Sequence, residues 1–214
     1  TADSPVTGAT IVDMAKKGGW SASSSPDIVY GWDDIIPEQD EQVIVDKNWI
    51  EGRELDVPGD DWNPAKDLIK YLSTLFDSTD YVGYVTSSWE KDGKFLPNKG
   101  NFKRTAGELI EELTVCDGDL GAVLGDYNPK AGAWIRFNPL DGKGVRNENV
   151  TDFRYALVES DSMELEKQNE IIRRLELPVA CLVYSGGKSI HAIVHIDAGN
   201  YDEYRKRVDY LYAI

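Results

Sequence analysis

The stretch "YSGGKSIHAIVHID", residues 184–197, carries three competing signals. Gly-Lys-Ser suggests a phosphate loop, His-x-x-x-His a metal pair, and two glycines between β-rich runs a hairpin turn. A Walker A loop needs a second glycine five positions ahead of the one that precedes its lysine. Here Gly187 precedes Lys188, and position 182 is Leu182. No helical pattern follows the lysine either. A metal pair would need His191 and His195 one turn apart on a helix, whereas Ile190, Ile193, Val194 and Ile196 favour a strand. At about 3.3 Å per residue the two imidazoles are then about 13 Å apart, too far to share one zinc ion. The hairpin remains. Tyr184 ends one strand, Gly186 and Gly187 supply positive φ, and Ser189 begins the next strand. Period two sends Ala192, Val194 and Ile196 into a core, and His191, Ile193, His195 and Asp197 to an open, polar face.

Working outward, "FRYALVES" and "PVACLVYS" read as further strands, separated by "SMELEKQNEIIRRLEL" with Leu165, Ile172 and Leu175 at helical spacing. The terminal "YDEYRKRVDYLYAI" is helix-like. Upstream, Asn63 and Pro64 open a helix whose face is Leu68, Tyr71, Leu72 and Leu75. A second helix starts at Thr105. "YVGYVTSSW", "GAVLG" and "GAWIRFNP" are expected to be strands. The class is α/β or α+β.

The chain has 214 residues, 41% hydrophobic and 10% aromatic, enough for one large domain or for one domain plus a small appendage. Residues 1–60 predict a short helix, "SPVTGATIVDMAKKGG" capped at Thr7 or Thr10, and a Ser-rich, acidic arm that Trp20, Trp32 and Trp49 should dock somewhere. Residues 61–214 are expected to form the core. The chain opens at Thr1 without a methionine and closes in the helix-like stretch, so it is expected to be cut from a longer protein at one end at least. No signal peptide and no run near the roughly 20 apolar residues of a membrane helix is present, so a cytoplasmic protein with no membrane partner is expected. Cys116 and Cys181 show no CxxC spacing and read as buried free thiols. The net charge of −15 argues against a nonspecific basic binder of nucleic acid. Residues 1–100 hold 19 acids and 9 bases, residues 101–214 hold 19 and 14, so a polyanion site fits the second half better.

Several chemistry-bearing groups fall on neighbouring strands. Glu159 and Asp161 are two apart at a strand end, so their carboxylates should share a face and suit Mg²⁺ or Mn²⁺. Lys188, Ser189 and His191 follow the glycine turn and offer ammonium, hydroxyl and imidazole to a triphosphate. Trp134, Arg136 and Asn138 alternate with Ala133, Ile135 and Phe137. Arg136 and Asn138 are candidate nucleotide contacts, Lys143 and Arg146 candidate template or phosphate contacts, and Trp134 a stacking platform for a base. Each also has a plain reading: Glu159 and Asp161 as a solvated strand end capping the next helix, His191 as a structural histidine, Lys188 as a turn lysine, Asn138 as a turn former before Pro139.

The constellation resembles the archaeo-eukaryotic primase superfamily, in particular the primase-polymerases of phages, plasmids and other mobile elements. The family's Asp/Glu-x-Asp/Glu strand end looks like Glu159-Ser160-Asp161, and its glycine turn with Ser-x-His looks like "SGGKSIH" with Ser189 and His191. "WIRFNPLDGKGVRNENVTDFRYALVESD" is similar in order and spacing to the family's upstream segment, and the likeness covers about residues 65–214. It implies an RRM-like sheet beside an N-terminal α/β unit, and a DNA primase or polymerase acting by two-metal nucleotidyl transfer. Glu159 and Asp161 would be the metal ligands, and Lys188, Ser189 and His191 would hold the incoming nucleoside triphosphate. A single-stranded DNA template and a helicase domain or protein are the implied partners. The family's third carboxylate is not well matched by Asp197 or Asp209 and is expected beyond Ile214. The alternative is a noncatalytic replication initiator or nucleotide-binding module on a related sheet. A nicking initiator would need His-x-His, where this chain has His-x-x-x-His.

Overall fold

The computed structural model describes residues 50–56, 59, 61–186 and 189–212. The expected N-terminal helix and most of the arm lie outside them, as do Gly187 and Lys188. The chain is mixed α+β and divides into two compact units; residues 61–153 fall in one, residues 50–56 and 154–212 in the other.

The first unit opens with α1, Pro64–Leu75. The Asn63 side chain accepts from the Ala65 and Lys66 backbone N–H groups at 3.0 and 3.1 Å, and Pro64 takes the first turn, where no N–H partner is needed. Strand β1, Tyr84–Val85, is followed by the hairpin of β2, Ser88–Lys91, and β3, Lys94–Pro97. Helix α2, Ala106–Val115, begins with a capping box in which Thr105 and Glu108 serve each other's backbone N–H groups. It packs on α1, and Leu72, Leu75, Leu109 and Leu113 are buried. A short helix α3, Leu120–Leu124, and a two-residue strand β4, Trp134–Ile135, complete the unit's regular elements together with a 3₁₀ turn at Asn147–Asn149.

Three expected strands change here. "GAVLG" is helix α3: Asp119 accepts from the Ala122 N–H at 3.1 Å as its N-cap, and Gly125, at φ 92, ends it. The run from Tyr81 to Trp89 is broken into β1 and β2, which belong to different two-stranded sheets. The "AWIRFNP" strand pairs over Trp134–Ile135 only, antiparallel to β1. Past it the Arg136 N–H still reaches Gly83 O at 2.8 Å. A Cβ at Gly83 would lie 2.7 Å from Leu140 Cδ1, so the buried Leu140 side chain would have to shift to admit one.

The second unit contains β5, Phe153–Val158; α4, Leu165–Arg174; β6, Val179–Tyr184; β7, Ile190–Ala198; and α5, Tyr201–Tyr212. The sheet order is β5-β7-β6, so the longest strand is central. Strands β6 and β7 form the expected antiparallel hairpin, with Tyr184 opposite Ile190 and Gly186 at φ 91. Ala192, Val194 and Ile196 of β7 form one cluster with Ala156, Ile172, Val208 and Leu211, so α4 and α5 cover that face. Residues 50–56 lie along α4: Arg53 N donates to Glu166 O at 2.9 Å, and the Asn169 Nδ2 donates to Arg53 O and Glu54 O at 3.1 and 3.0 Å. Gly52 is required by this approach, since a Cβ there would sit 2.5 Å from Glu166 Cβ. Both cysteines are free, but half-buried and not enclosed.

The other face of the sheet is less open than the alternation of residue types suggests. Ile193 is 2% exposed, and the buried Tyr155 ring tilts against His195 with centroids 4.7 Å apart. His191 and His195 are half-buried on either side of Ile193.

Candidate functional site

Glu159 directly follows β5, and His191 is the second residue of β7, the strand beside it in the sheet. Ala156 and Val158 point into the helix-covered cluster, so by alternation Tyr155, Leu157 and Glu159 fall on the face that carries His191 and His195. His191 Nε2 lies 2.8 Å from Glu159 Oε2, with side chains 33% and 41% exposed. The pair is therefore built by the sheet and reachable from solvent. His195 has separate company: Asp197 Oδ2 lies 3.9 Å from its Nδ1, and Tyr155 packs on its ring. The two histidines do not share a ligand.

The argument that put Asp161 on the face of Glu159 rested on a continuous strand. The strand ends at Val158, and Asp161 sits in an exposed bend at 161–163. Neither Ser160 nor Asp161 caps the next helix. The N-cap position is Glu164, with no side-chain cap, and the bend is held instead by the Gln168 Nε2, which donates to Met163 O at 2.6 Å.

Ser189 is 3% exposed and closes the hairpin. Its hydroxyl lies 3.1 Å from the Ser185 hydroxyl, its N–H donates to Ser185 Oγ at 3.2 Å, and its carbonyl accepts from Ser185 Oγ at 2.8 Å. Lys188 lies outside the described residues.

Arg136, Asn138, Trp134, Lys143 and Arg146 belong to the other unit. Asn138 is buried, and the Arg136 methylenes pack over Gly83. Trp134 stands opposite Val85. Lys143 and Arg146 are exposed on a loop tied at both ends. Asp141 N donates to Asn149 O at 2.8 Å, and Lys143 N donates to Asp141 Oδ1 at 2.8 Å. The Lys143 backbone N–H and the Asn149 amide hold the Asp141 carboxyl below its usual range.

Gln168 was missed in reading the sequence. It is 3% exposed, and besides Met163 O it serves β7, its Oε1 accepting from the buried Ile190 N–H at 2.9 Å. One side chain thus ties the bend after Glu159 to the residue before His191. The available signal was a polar residue on the apolar stripe of α4, three positions after Leu165 and four before Ile172.

Among the described residues no group of three or more His, Cys, Asp or Glu side chains is arranged to hold a metal ion. No helix there is long and apolar enough to cross a membrane. No family model, curated protein or solved structure matches the chain.

Proposed function

We propose that the chain carries the catalytic core of a primase-polymerase. It would extend a short RNA or DNA strand on a single-stranded DNA template, from nucleoside triphosphates, in the replication of a phage, plasmid or other mobile element. The observation that carries this reading is the 2.8 Å contact between Glu159 and His191, solvent-reachable and placed where adjacent strands β5 and β7 converge. The order strand–helix–strand–strand–helix, with β7 between β5 and β6 and both helices on one face, supports an RRM-like sheet beneath it.

Glu159 and Asp161 are exposed carboxylates, hard oxygen donors of the kind that suits Mg²⁺ or Mn²⁺; Glu159 would hold such an ion from the end of β5, and Asp161 would have to reach it from the bend at 161–163. A bound divalent ion supplies positive charge opposite a triphosphate. His191 would hold one Glu159 oxygen through its Nε2, and its partial exposure would let the imidazole reach a phosphate oxygen. A helicase domain or protein as partner is part of the same proposal.

Replacing Glu159 and Asp161 together by alanine is expected to reduce Mg²⁺- or Mn²⁺-dependent incorporation of labelled nucleotide on a single-stranded template to background. Incorporation at the wild-type level would sink the reading. A second reading has its own support: the Ser189 hydroxyl is committed to the hairpin turn, which suits the corner to a module that binds nucleotide without turnover. Calorimetric titration of a nucleoside triphosphate with Mg²⁺ into wild-type and His191→Ala protein separates the two. Binding that weakens in the variant, with no incorporation by the wild type, favours the binding module.

A further inference from the structure

The β2–β3 hairpin has an asymmetry that its packing does not require. The register sets Trp89 opposite Leu96 and Lys91 opposite Lys94. Directly opposed residues share a face, and so do residues two apart along a strand. One face therefore carries Trp89, Leu96, Lys91 and Lys94 and no carboxylate, while Glu90 and Phe95 take the other. Trp89 is 47% and Leu96 37% exposed, and both lysines are exposed. The turn between the strands is Asp92-Gly93, both at positive φ (52° and 74°), the conformation that tight two-residue hairpins need. The register is thus locked by the turn, which sets the two lysines directly across from one another.

Like charges in that position destabilise a hairpin. An indole left in water forgoes its burial. The surrounding sequence repeats the charge pattern. Residues 86–104 hold five basic and two acidic residues, in a chain of net charge −15, so this local excess of base lies mostly in the first half, against the half-by-half count that favoured residues 101–214 for a polyanion. Lys99 and Lys103 of this stretch are also exposed. A local cationic face with a free aromatic ring, inside an acidic protein, is complementary to a flexible polyanion that has planar groups to stack.

We propose that this face of the β2–β3 hairpin binds single-stranded nucleic acid, with a base on the Trp89 ring and backbone phosphates against Lys91 and Lys94. A single strand is favoured over a duplex because only an unpaired base presents its π-face to an indole. The assignment deepens the polymerase reading by giving the template a surface, but the binding can be measured without turnover.

The test is fluorescence anisotropy of labelled oligo(dT) titrated with the whole 214-residue chain over a range of salt concentrations. Trp89→Ala is expected to weaken binding about tenfold with the salt slope unchanged, and Trp89→Phe to restore most of it. Lys91→Gln with Lys94→Gln is expected to flatten the dependence of log Kobs on log salt by about 1.4, the value for losing two phosphate contacts to a single strand. Circular dichroism checks that each variant is folded; the substituted side chains are all exposed. Wild-type affinity and salt slope in both variants would overturn the proposal. So would failure of the wild type to bind, or displacement of oligo(dT) by poly-glutamate at equal charge concentration, which would assign the face to an acidic polypeptide. Hairpin-dependent binding without nucleotide incorporation would refute the polymerase reading and leave this one standing. Incorporation with unaltered binding in both variants would refute this one alone.

Discussion

Gln168 shows how one buried polar side chain can set a local structure. Both ends of its amide are used, one on the bend that follows Glu159 and one on the strand that presents His191. Gln168→Ala would leave the buried Ile190 N–H without its acceptor, and an unsatisfied buried group costs about 1–3 kcal/mol. Urea denaturation is expected to show a loss of that size. A change under about 0.5 kcal/mol, the range of ordinary surface substitutions, would show the bond to be dispensable. At this scale the sequence was informative about residue types and less so about roles. Glu159 and His191 were singled out and do meet. Ser189 was singled out for its hydroxyl, which the turn engages, because a hairpin's internal hydrogen bonds cannot be read from residue identity. Asp161 was placed by extending a strand past the point where backbone pairing stops.

Among the elements, helix α4 depends most on charge. Glu170 accepts from Arg174 Nε at 2.7 Å, and Arg53 Nε lies 2.8 Å from its other oxygen. The Arg174 hydrogen bond, with the positive charge of Arg53 behind it, holds the Glu170 carboxyl below its ordinary value of 4.5. A depressed carboxylate stabilises the folded state at pH values above its unfolded pKa. That contribution is lost as the pH falls through the lowered value. Thermal melts between about pH 7 and about pH 3 should therefore show stability declining below pH 4.5, with a shallower decline in Glu170→Gln. Identical pH profiles would remove Glu170 from the account. Helices α1 and α2 were legible from caps and apolar stripes, and α4 from its stripe alone, all of them local signals; α5 was legible only as a helix-like composition. Helix α3 was not: five residues carry too little periodicity, and the decisive cues were Asp119 before it and Gly125 after it.

For the whole molecule, charge is the dominant long-range term. The chain carries −15 at neutral pH and has a pI near 4.5. Its exposed ion pairs, such as Arg205 with Asp209, contribute at most about 1 kcal/mol each. Self-repulsion acts over the Debye length, which shrinks from about 30 Å at 0.01 M salt to about 8 Å at 0.15 M. Adding salt over that range screens the repulsion more than it weakens the pairs, so the melting temperature should rise. A fall would mean that specific ion pairs outweigh net charge.

Short-range signals sufficed for the mixed class, four of the helices, the β6–β7 hairpin with its core-facing alternation, and Glu159 and His191 as separate site candidates. Each of these is written in a short-range pattern of residue types, caps and turns. Folding in three dimensions was needed to show which strand lies between which, where paired strands stop, that residues 50–56 join residues 154–212, that Glu159 meets His191, and that Gln168 bridges the two sides of the site. Those outcomes depend on contacts between residues far apart in the chain, where the gain is set by packing and hydrogen bonding across space. No local window of sequence carries that information.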